Sequence, residues 1–213
     1  MLSAPPIVFV VDDDPSVREA LESLIVQAGW RAQVFESARD FLGFPRVSAP
    51  NCLVLDVSLP GLNGLELQSL IAGERIDMPI IFITGHADVP MTVKAMKAGA
   101  VEFLTKPVAE DVLINAIGSA IERSRMTLDQ ESERQVLRSL YARLTPRERD
   151  VMTLVVRGLL NKQVGGELGM AEITVKAHRG QVMRKMKAAS FADLVNMGTK
   201  LGLASAPKPS RNK

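Results

Sequence analysis

Acidic, hydroxyl and basic side chains stand at the ends of apolar segments in the first 110 residues. Asp12 and Asp13 follow the run IVFVV, Asp56 closes CLVLD, Thr84 closes IIFIT and Lys106 follows EFLT. Continuous apolar runs rich in β-branched residues are typical of strands that are buried on both faces. If these strands lie side by side in a parallel sheet, their carboxyl ends bring three carboxylates, a hydroxyl and an ammonium to one pocket.

Such a pocket predicts chemistry on phosphate. Three adjacent carboxylates are tolerated only where positive charge neutralises them. Oxygen ligands with open water positions favour Mg²⁺, or a similar divalent cation such as Mn²⁺. A carboxylate beside that ion can attack a phosphorus centre, while the ion and Lys106 offset the charge on the transferring oxygens.

The third aspartate of the DDD run has a different predicted role. Asp14 directly precedes Pro15. Aspartate is a preferred N-cap residue, and proline is favoured at the first helical position. We therefore expect Asp14 to cap the first helix rather than to join the pocket.

Strands and helices alternate through the first 120 residues. The pattern predicts strands over 7–11, 31–36, 52–56, 79–85 and 101–105, and helices over 15–29, 38–44, 64–74, 89–100 and from about 109 onwards. Alternation of this kind implies right-handed crossovers, and therefore an α/β fold with a five-stranded, doubly wound parallel sheet.

The second half of the chain is predicted to be all-α. Residues 145–204 have no strand pattern, and Thr145, Pro146 and Glu148 form the capping box of the first of four helices. The segment GELGMAEITVKAHR reads as helix, turn at Gly169, and helix. The charged residues 123–141 lack strong breakers, which favours a helical linker over a flexible tether.

Composition separates the two halves by charge. Residues 1–121 contain eight basic and fifteen acidic side chains, a net −7, whereas residues 145–213 contain thirteen and five, a net +8. A basic region favours a polyanionic partner. A single cysteine, Cys52, fits a reducing cytoplasm, and no apolar run is long enough to span a membrane.

The motifs VVDDDPSVR, LVLDVSLPGLNG, FITGHAD and EFLTKP, over residues 5–122, resemble the receiver domain of two-component response regulators. That resemblance implies a flavodoxin-like fold in which Asp56 is phosphorylated. It makes Asp12 and Asp13 the acidic pair that holds the metal. The backbone carbonyl of Ser58 would complete the protein ligands.

The same resemblance assigns the switch. Thr84 is expected to hydrogen-bond the phosphoryl group and Lys106 to pair with it. Phe103 matches an aromatic position that turns inward when Thr84 moves, and Lys106–Pro107 is expected to be a cis peptide. His86, in the loop after Thr84, is interpreted as a plain loop residue.

The stretches LTPRE, TVKAH and RKM resemble the LuxR-type four-helix DNA-binding domain over residues 142–204. In that domain the second helix of the helix-turn-helix enters the major groove, where Lys176 can donate to guanine and Ala177 can meet a thymine methyl. Thr174, Arg179 and Lys185 are better placed for phosphates. The predicted DNA contacts are Thr174, Lys176, Ala177, Arg179, Gly180, Arg184 and Lys185.

The helix-turn-helix departs from the family pattern at three glycines, Gly165 and Gly166 in its first helix and Gly180 in its second. Gly165 and Gly166 replace the usual alanine-containing pair, and glycine inside a helix costs about 1 kcal/mol relative to alanine. A close approach between helices would offset that cost. Gly180 removes a side chain from the reading face, so we expect fewer direct base contacts and more dependence on DNA shape.

Two other functions compete with this assignment. A metal-dependent phosphatase would need a second aspartate two residues after its nucleophile, but Asp56 is followed by Val57 and Ser58, so we do not expect an enzyme. A DNA-binding protein that ignores phosphorylation, with the receiver only as a dimerisation module, is disfavoured by the intact set of site residues.

The whole chain therefore resembles a FixJ-type response regulator of the NarL/LuxR class. The resemblance implies a cytoplasmic transcription factor that works with a sensor histidine kinase, promoter DNA and RNA polymerase, without a membrane. Phosphorylation is expected to make a homodimer through residues 89–106. The predicted domains are a receiver (1–122), a helical linker (123–141), the DNA-binding domain (142–204) and a disordered tail (205–213).

Overall fold

The chain folds into two compact units, residues 1–129 and 130–213. A computed structural model describes residues 5–73, 78–86 and 88–205. The first unit alternates strands and helices, and the second is helical, so the predicted fold classes are confirmed. The strands are β1 (Ile7–Val11), β2 (Arg31–Phe35), β3 (Asn51–Asp56), β4 (Ile80–Thr84) and β5 (Glu102–Thr105). The helices are α1 (Pro15–Gln27), α2 (Ala38–Gly43), α3 (Gly64–Ile71), α4 (Val89–Lys97), α5 (Glu110–Ala142), α6 (Pro146–Val156), α7 (Asn161–Leu168), α8 (Glu172–Met186) and α9 (Phe191–Lys200).

The sheet places the chemically important strands next to one another. Its order is β2-β1-β3-β4-β5, and every pair is parallel. The four strands that end in site residues are thus adjacent, while β2 takes an edge. The order reverses between β1 and β3, which is the point where ligands bind in open α/β sheets.

The two faces of the sheet carry separate cores. Alternate residues of β1 and β3, such as Phe9 and Leu55, pack with α2, α3 and α4. Their neighbours, such as Val10 and Cys52, pack with α1 and α5. Since side chains alternate along a strand, a strand that is covered on both faces must be apolar throughout. This explains the unbroken runs in β1 and β3, and Cys52 is one of these buried residues.

Helix α5 continues through the residues that were predicted as a linker. It spans 33 residues, Glu110–Ala142, so the segment is helical rather than a tether. The domain boundaries inferred from the sequence stay a prediction. Within the described parts of the chain, no helix is both long and apolar enough to cross a membrane.

The helical unit is built around one core. Val151, Val175, Val182 and Met186 are buried there together with residues of α7 and α9. The predicted capping box is present: the Thr145 hydroxyl accepts from the Glu148 N–H, and the Glu148 carboxylate accepts from the Thr145 N–H. The turn between α7 and α8 passes through Gly169, which has a φ of +65°.

Several helices end earlier than predicted. Helix α1 ends at Gln27 and α4 at Lys97. Gly29 and Gly99, two residues beyond these ends, adopt a positive φ that stops the helix, so neither glycine is itself helical. Helix α3 ends at Ile71; residue 74, the predicted end, lies outside the described residues. The predicted tail also lies outside them, apart from Ser205 at the end of a short 3-10 turn.

Candidate phosphoacceptor site and DNA-binding helix

Three carboxylates converge where β1 and β3 end. Asp12 is fully buried and Asp56 is 6% exposed, whereas Asp13 is exposed. One carboxylate oxygen from each lies within 4.8 Å of the other two. The parallel pairing of β1 with β3 produces this cluster, because Val11 and Leu55, the residues just before Asp12 and Asp56, are register partners.

Lys106 joins the two buried carboxylates. Its Nζ lies 2.6 Å from Asp12 Oδ2 and 3.1 Å from Asp56 Oδ2. The backbone N–H of Lys106 donates to the Thr84 carbonyl at 2.8 Å, which fixes the backbone of Lys106 at the end of β4. The peptide bond between Lys106 and Pro107 is cis, as expected.

The electrostatics of the cluster favour a cation. Burial raises the pKa of Asp12, and the neighbouring Asp56 charge adds to that effect against the opposing hydrogen bond from Lys106. Burial acts to lower the pKa of Lys106, but its hydrogen bonds to the two carboxylates raise it overall. The negative charge of three carboxylates exceeds what one ammonium supplies, so the donor set fits a divalent oxygen-seeking ion.

Backbone and neighbouring groups fix the acceptor carboxylate. The Ser58 N–H donates to Asp56 Oδ1 at 3.1 Å, and the Asp14 N–H donates to Asp12 Oδ1 at 3.0 Å. Each carboxylate therefore keeps one oxygen on a backbone donor and the other on Lys106. The role of the Ser58 carbonyl as a metal ligand stays a prediction.

Two residues that sequence reasoning missed support the site. Arg18 of α1 donates to the Asp12 carbonyl at 2.7 Å, and only its place one turn into a helix after β1 could have suggested this. Gly64, the first residue of α3, is packed against the end of β3. A Cβ built there would lie 2.4 Å from the Asp56 carbonyl oxygen, so only glycine allows this approach.

Thr84 and Phe103 lie on the neighbouring strands β4 and β5, and their role as a switch pair stays a prediction. Thr84 is fully buried, and its hydroxyl donates to the His86 carbonyl at 3.0 Å and accepts from the His86 N–H at 3.3 Å. Phe103 is half-buried, with its ring centroid 5.9 Å from that of Phe82. His86 is exposed in the loop and engages Thr84 through its backbone, which agrees with a loop role.

Asp14 belongs to the helix, as predicted. Its carboxylate accepts from the Ser16 N–H at 2.8 Å and from the Ser16 hydroxyl at 2.6 Å. These bonds lower the pKa of Asp14. Asp14 thus caps α1, and Pro15 is the first helical residue.

Helix α8 sorts its residues into a buried side and an exposed side. Val175, Val182 and Met186 are buried in the core, as predicted. Five of the predicted DNA contacts lie on the exposed side: Thr174, Lys176, Ala177, Gly180 and Arg184. Apart from the adjacent residues and the backbone of its own helix, no heavy atom of the described chain comes within 4 Å of a Cβ built at Gly180, so the space beside this glycine is open.

The remaining two predicted contacts have partners inside the unit. Lys185 Nζ lies 2.6 and 2.9 Å from the carboxylate oxygens of Glu148, which is 4% exposed. Arg179 Nη1 lies 3.3 Å from Asn161 Oδ1, and its guanidinium stacks 4.3 Å from the Phe191 ring centroid. Lys185 therefore has an anionic partner and Arg179 has neutral ones.

Family models match both units. Residues 8–118 match the response regulator receiver domain, and residues 142–198 match the bacterial regulatory proteins of the luxR family.

Relatives and solved structures match nearly the whole chain. Nodulation protein W of Bradyrhizobium diazoefficiens is 50% identical, with 95% of this chain and 89% of that protein covered. The structure of the response regulator StyR is 46% identical, with a TM-score of 0.79 and coverage of 92% and 100%. Full-length FixJ from B. japonicum is 37% identical, with a TM-score of 0.54 and coverage of 94% and 98%. The chain therefore belongs to the FixJ-type response regulators, two-component transcriptional regulators that join a receiver domain to a LuxR-type DNA-binding domain.

Proposed function

We propose that Asp56 accepts a phosphoryl group from a sensor histidine kinase, and that this modification controls promoter binding by the LuxR-type domain. The observation that carries the proposal is the convergence of Asp12, Asp13 and Asp56, with Lys106 bridging the two buried carboxylates. The Asp56 carboxylate is held by the Ser58 N–H and by Lys106, which fixes its orientation before transfer.

Mg²⁺, or Mn²⁺ in its place, is the ion that this donor set suits. Asp12, Asp13, Asp56 and the Ser58 carbonyl would hold it, and when bound it would offset negative charge on the phosphoryl oxygens. The carboxylates supply the hard oxygen ligands. Before phosphorylation, Lys106 offsets part of the charge of Asp12 and Asp56.

The transfer itself exchanges one bond for another. An Asp56 carboxylate oxygen forms a bond to phosphorus, and the bond from phosphorus to the kinase histidine breaks, which leaves an acyl phosphate and a free imidazole. Lys106 then donates to a phosphoryl oxygen instead of an Asp56 oxygen. The Thr84 hydroxyl releases the His86 carbonyl and donates to another phosphoryl oxygen.

Movement of Thr84 makes room for Phe103 to turn inward and reshapes the surface of residues 89–106. Two copies would then associate through this surface and bring two DNA-binding domains onto a two-fold site. Val89 is 77% exposed and Val93 is 44% exposed, which supplies apolar area for such contact. RNA polymerase is the downstream partner proposed for the DNA-bound form.

The proposed domain ranges extend beyond the ranges that the family models match, 8–118 and 142–198. The receiver is assigned to residues 1–122, the helical linker to 123–141 and the DNA-binding domain to 142–204. On α8, Lys176, Ala177 and Gly180 face bases, and Thr174 and Arg184 lie on the same exposed side.

The test compares wild type with Asp56→Asn in the presence of Mg²⁺ and acetyl phosphate. Wild type is expected to gain about 80 Da, to sediment as a dimer and to select a specific duplex from a random library. Asp56→Asn, which preserves size, should do none of these on addition of acetyl phosphate. Equal dimerisation of both proteins would overturn the mechanism.

A further inference from the structure

The side chain of Arg179, on α8, contacts both α7 and α9. It projects from α8 and hydrogen-bonds Asn161, the first residue of α7, while its guanidinium covers Phe191, the first residue of α9. Phe191 is 38% exposed, so the stack lies at the surface. A guanidinium over an aromatic face within about 6 Å is attracted by the ring quadrupole.

The place of Arg179 on α8 determines what it can reach. It lies four residues after Val175 and three before Val182, both buried, so it leaves the helix on the side that packs against α7 and α9. Its head is fixed at the start of those helices and not over Ala177. If α8 enters the major groove, a guanidinium on this flank would face the sugar–phosphate backbone that borders the groove, rather than the base edges.

The chemistry of its partners keeps the charge of Arg179 available. Lys185 is neutralised by the Glu148 carboxylate, whereas Arg179 is held by an amide oxygen and an aromatic ring, which carry no net charge. Besides the N–H group that donates to Asn161, several guanidinium N–H groups remain available as donors. The head is thus both ordered and uncompensated, and an ordered side chain loses less conformational entropy on binding.

We infer that Phe191 and Asn161 are positioning residues, which hold the Arg179 guanidinium in place for a phosphate of bound DNA. The inference rests on the proposed function, because it concerns DNA binding by the same domain. It also divides the cations of α8: Arg179 acts on DNA, while Lys185 stabilises the fold.

The test measures binding of the full, phosphorylated chain to a duplex that wild type has selected. Arg179→Ala is expected to make the negative slope of log K against log salt shallower by about 0.9 for each bound protomer. Phe191→Leu should weaken binding about threefold to tenfold by releasing the side chain. Phe191→Tyr, which keeps the ring, should bind as wild type does.

Double variants separate positioning from a structural effect. Phe191→Leu is expected to have no further effect in an Arg179→Ala background, but its full effect in an Arg184→Ala background, since Arg184 bonds Gln181 and not Phe191. An equal loss in both backgrounds, or an unchanged salt slope for Arg179→Ala, would overturn the inference. If Phe191→Leu fails to fold, Asn161→Ala gives the same comparison.

A control distinguishes this inference from the proposed function. Lys176→Ala should lose sequence-specific binding. If it does so while the Arg179 and Phe191 variants bind as wild type does, only the positioning role fails. If wild type selects no duplex at all, the proposed function fails.

Discussion

The two adjacent glycines of α7 differ in the space that is available for a side chain. A Cβ built at Gly165 would lie 2.6 Å from the Met170 carbonyl oxygen, a backbone atom of the turn. Around Gly166, apart from the adjacent residues and the backbone of its own helix, no heavy atom in the described chain lies within 4 Å of such a Cβ. Gly165→Ala and Gly166→Ala therefore form a matched pair, with the same chemical change one residue apart on one helix.

The expected magnitudes follow from these distances. Replacing glycine by alanine in a helix interior gains about 0.5–1 kcal/mol at either position. At Gly166 that gain stands alone. At Gly165, overpacking against the turn costs about 1–3 kcal/mol, so we expect Gly165→Ala to be less stable than Gly166→Ala by about that amount. Because the Gly165 carbonyl also accepts from the Met170 N–H at 3.0 Å, relieving the clash displaces the start of α8.

Urea unfolding followed by circular dichroism would measure these changes in the helical unit. The chain has one tryptophan, Trp30, which lies in the first unit. Its fluorescence transition should be unchanged in both variants and serves as the internal control. Of the two variants, only Gly165→Ala should weaken DNA binding. Equal stability of the two variants would refute the claim that the turn requires glycine at position 165.

Three further predictions concern single side chains. Asp13→Ala should abolish Mg²⁺-dependent phosphorylation by acetyl phosphate, whereas Asp14→Ala should lower the melting temperature of the receiver and leave phosphorylation intact; loss of labelling in both would contradict the division of roles. Lys106→Met should bind Mg²⁺ at least about tenfold more tightly in calorimetry, because an ammonium that competes for the carboxylates is removed; weaker binding would argue against competition. Hydrogen bonds from Lys185 and the capping box outweigh the effect of burial and lower the pKa of Glu148. The stability that ionised Glu148 gives the helical unit is therefore present above about pH 4.3, the ordinary pKa of a glutamate, and is lost as the pH falls through the lower pKa of the folded state. Glu148→Gln should flatten that acid-side decline in the melting temperature of the helical unit, and an unchanged slope would contradict the assignment.

The receiver site was predictable because each of its residues sits at a strand end. A parallel sheet aligns those ends, so the runs before Asp12, Asp56 and Thr84 were sufficient to bring them together. The pattern of apolar runs does not supply the strand order, which only the resemblance to a flavodoxin-like fold implied and which the structure establishes. Gly64 was also missed, because an Asn-Gly pair before a helix indicates a turn and carries no information about a carbonyl 2.4 Å from its missing Cβ.

The contacts of α8 were less predictable, because a list of cations does not reveal their partners. Lys185 and Arg179 are both cationic residues of α8, and composition treats them alike. The capping box at Thr145 was recognisable in sequence, but the second role of Glu148 was not, since the residue it pairs with lies 37 positions later. Long-range pairing of this kind depends on how α6 crosses α8, which local pattern does not encode.

The edge position of β2 allows Asp12 and Asp56 to lie at the ends of adjacent strands. Strand β2 ends at Phe35 and is followed by Glu36 and Ser37, but the sheet places β2 at the edge, beyond β1, so it does not come between Asp12 and Asp56. Had β2 followed β1 inward, it would have separated Asp12 from Asp56 by about 5 Å more, the spacing of one strand, and Lys106 could not have bridged them at 2.6 and 3.1 Å. The reversal of strand order between β1 and β3 is therefore a requirement of the chemistry.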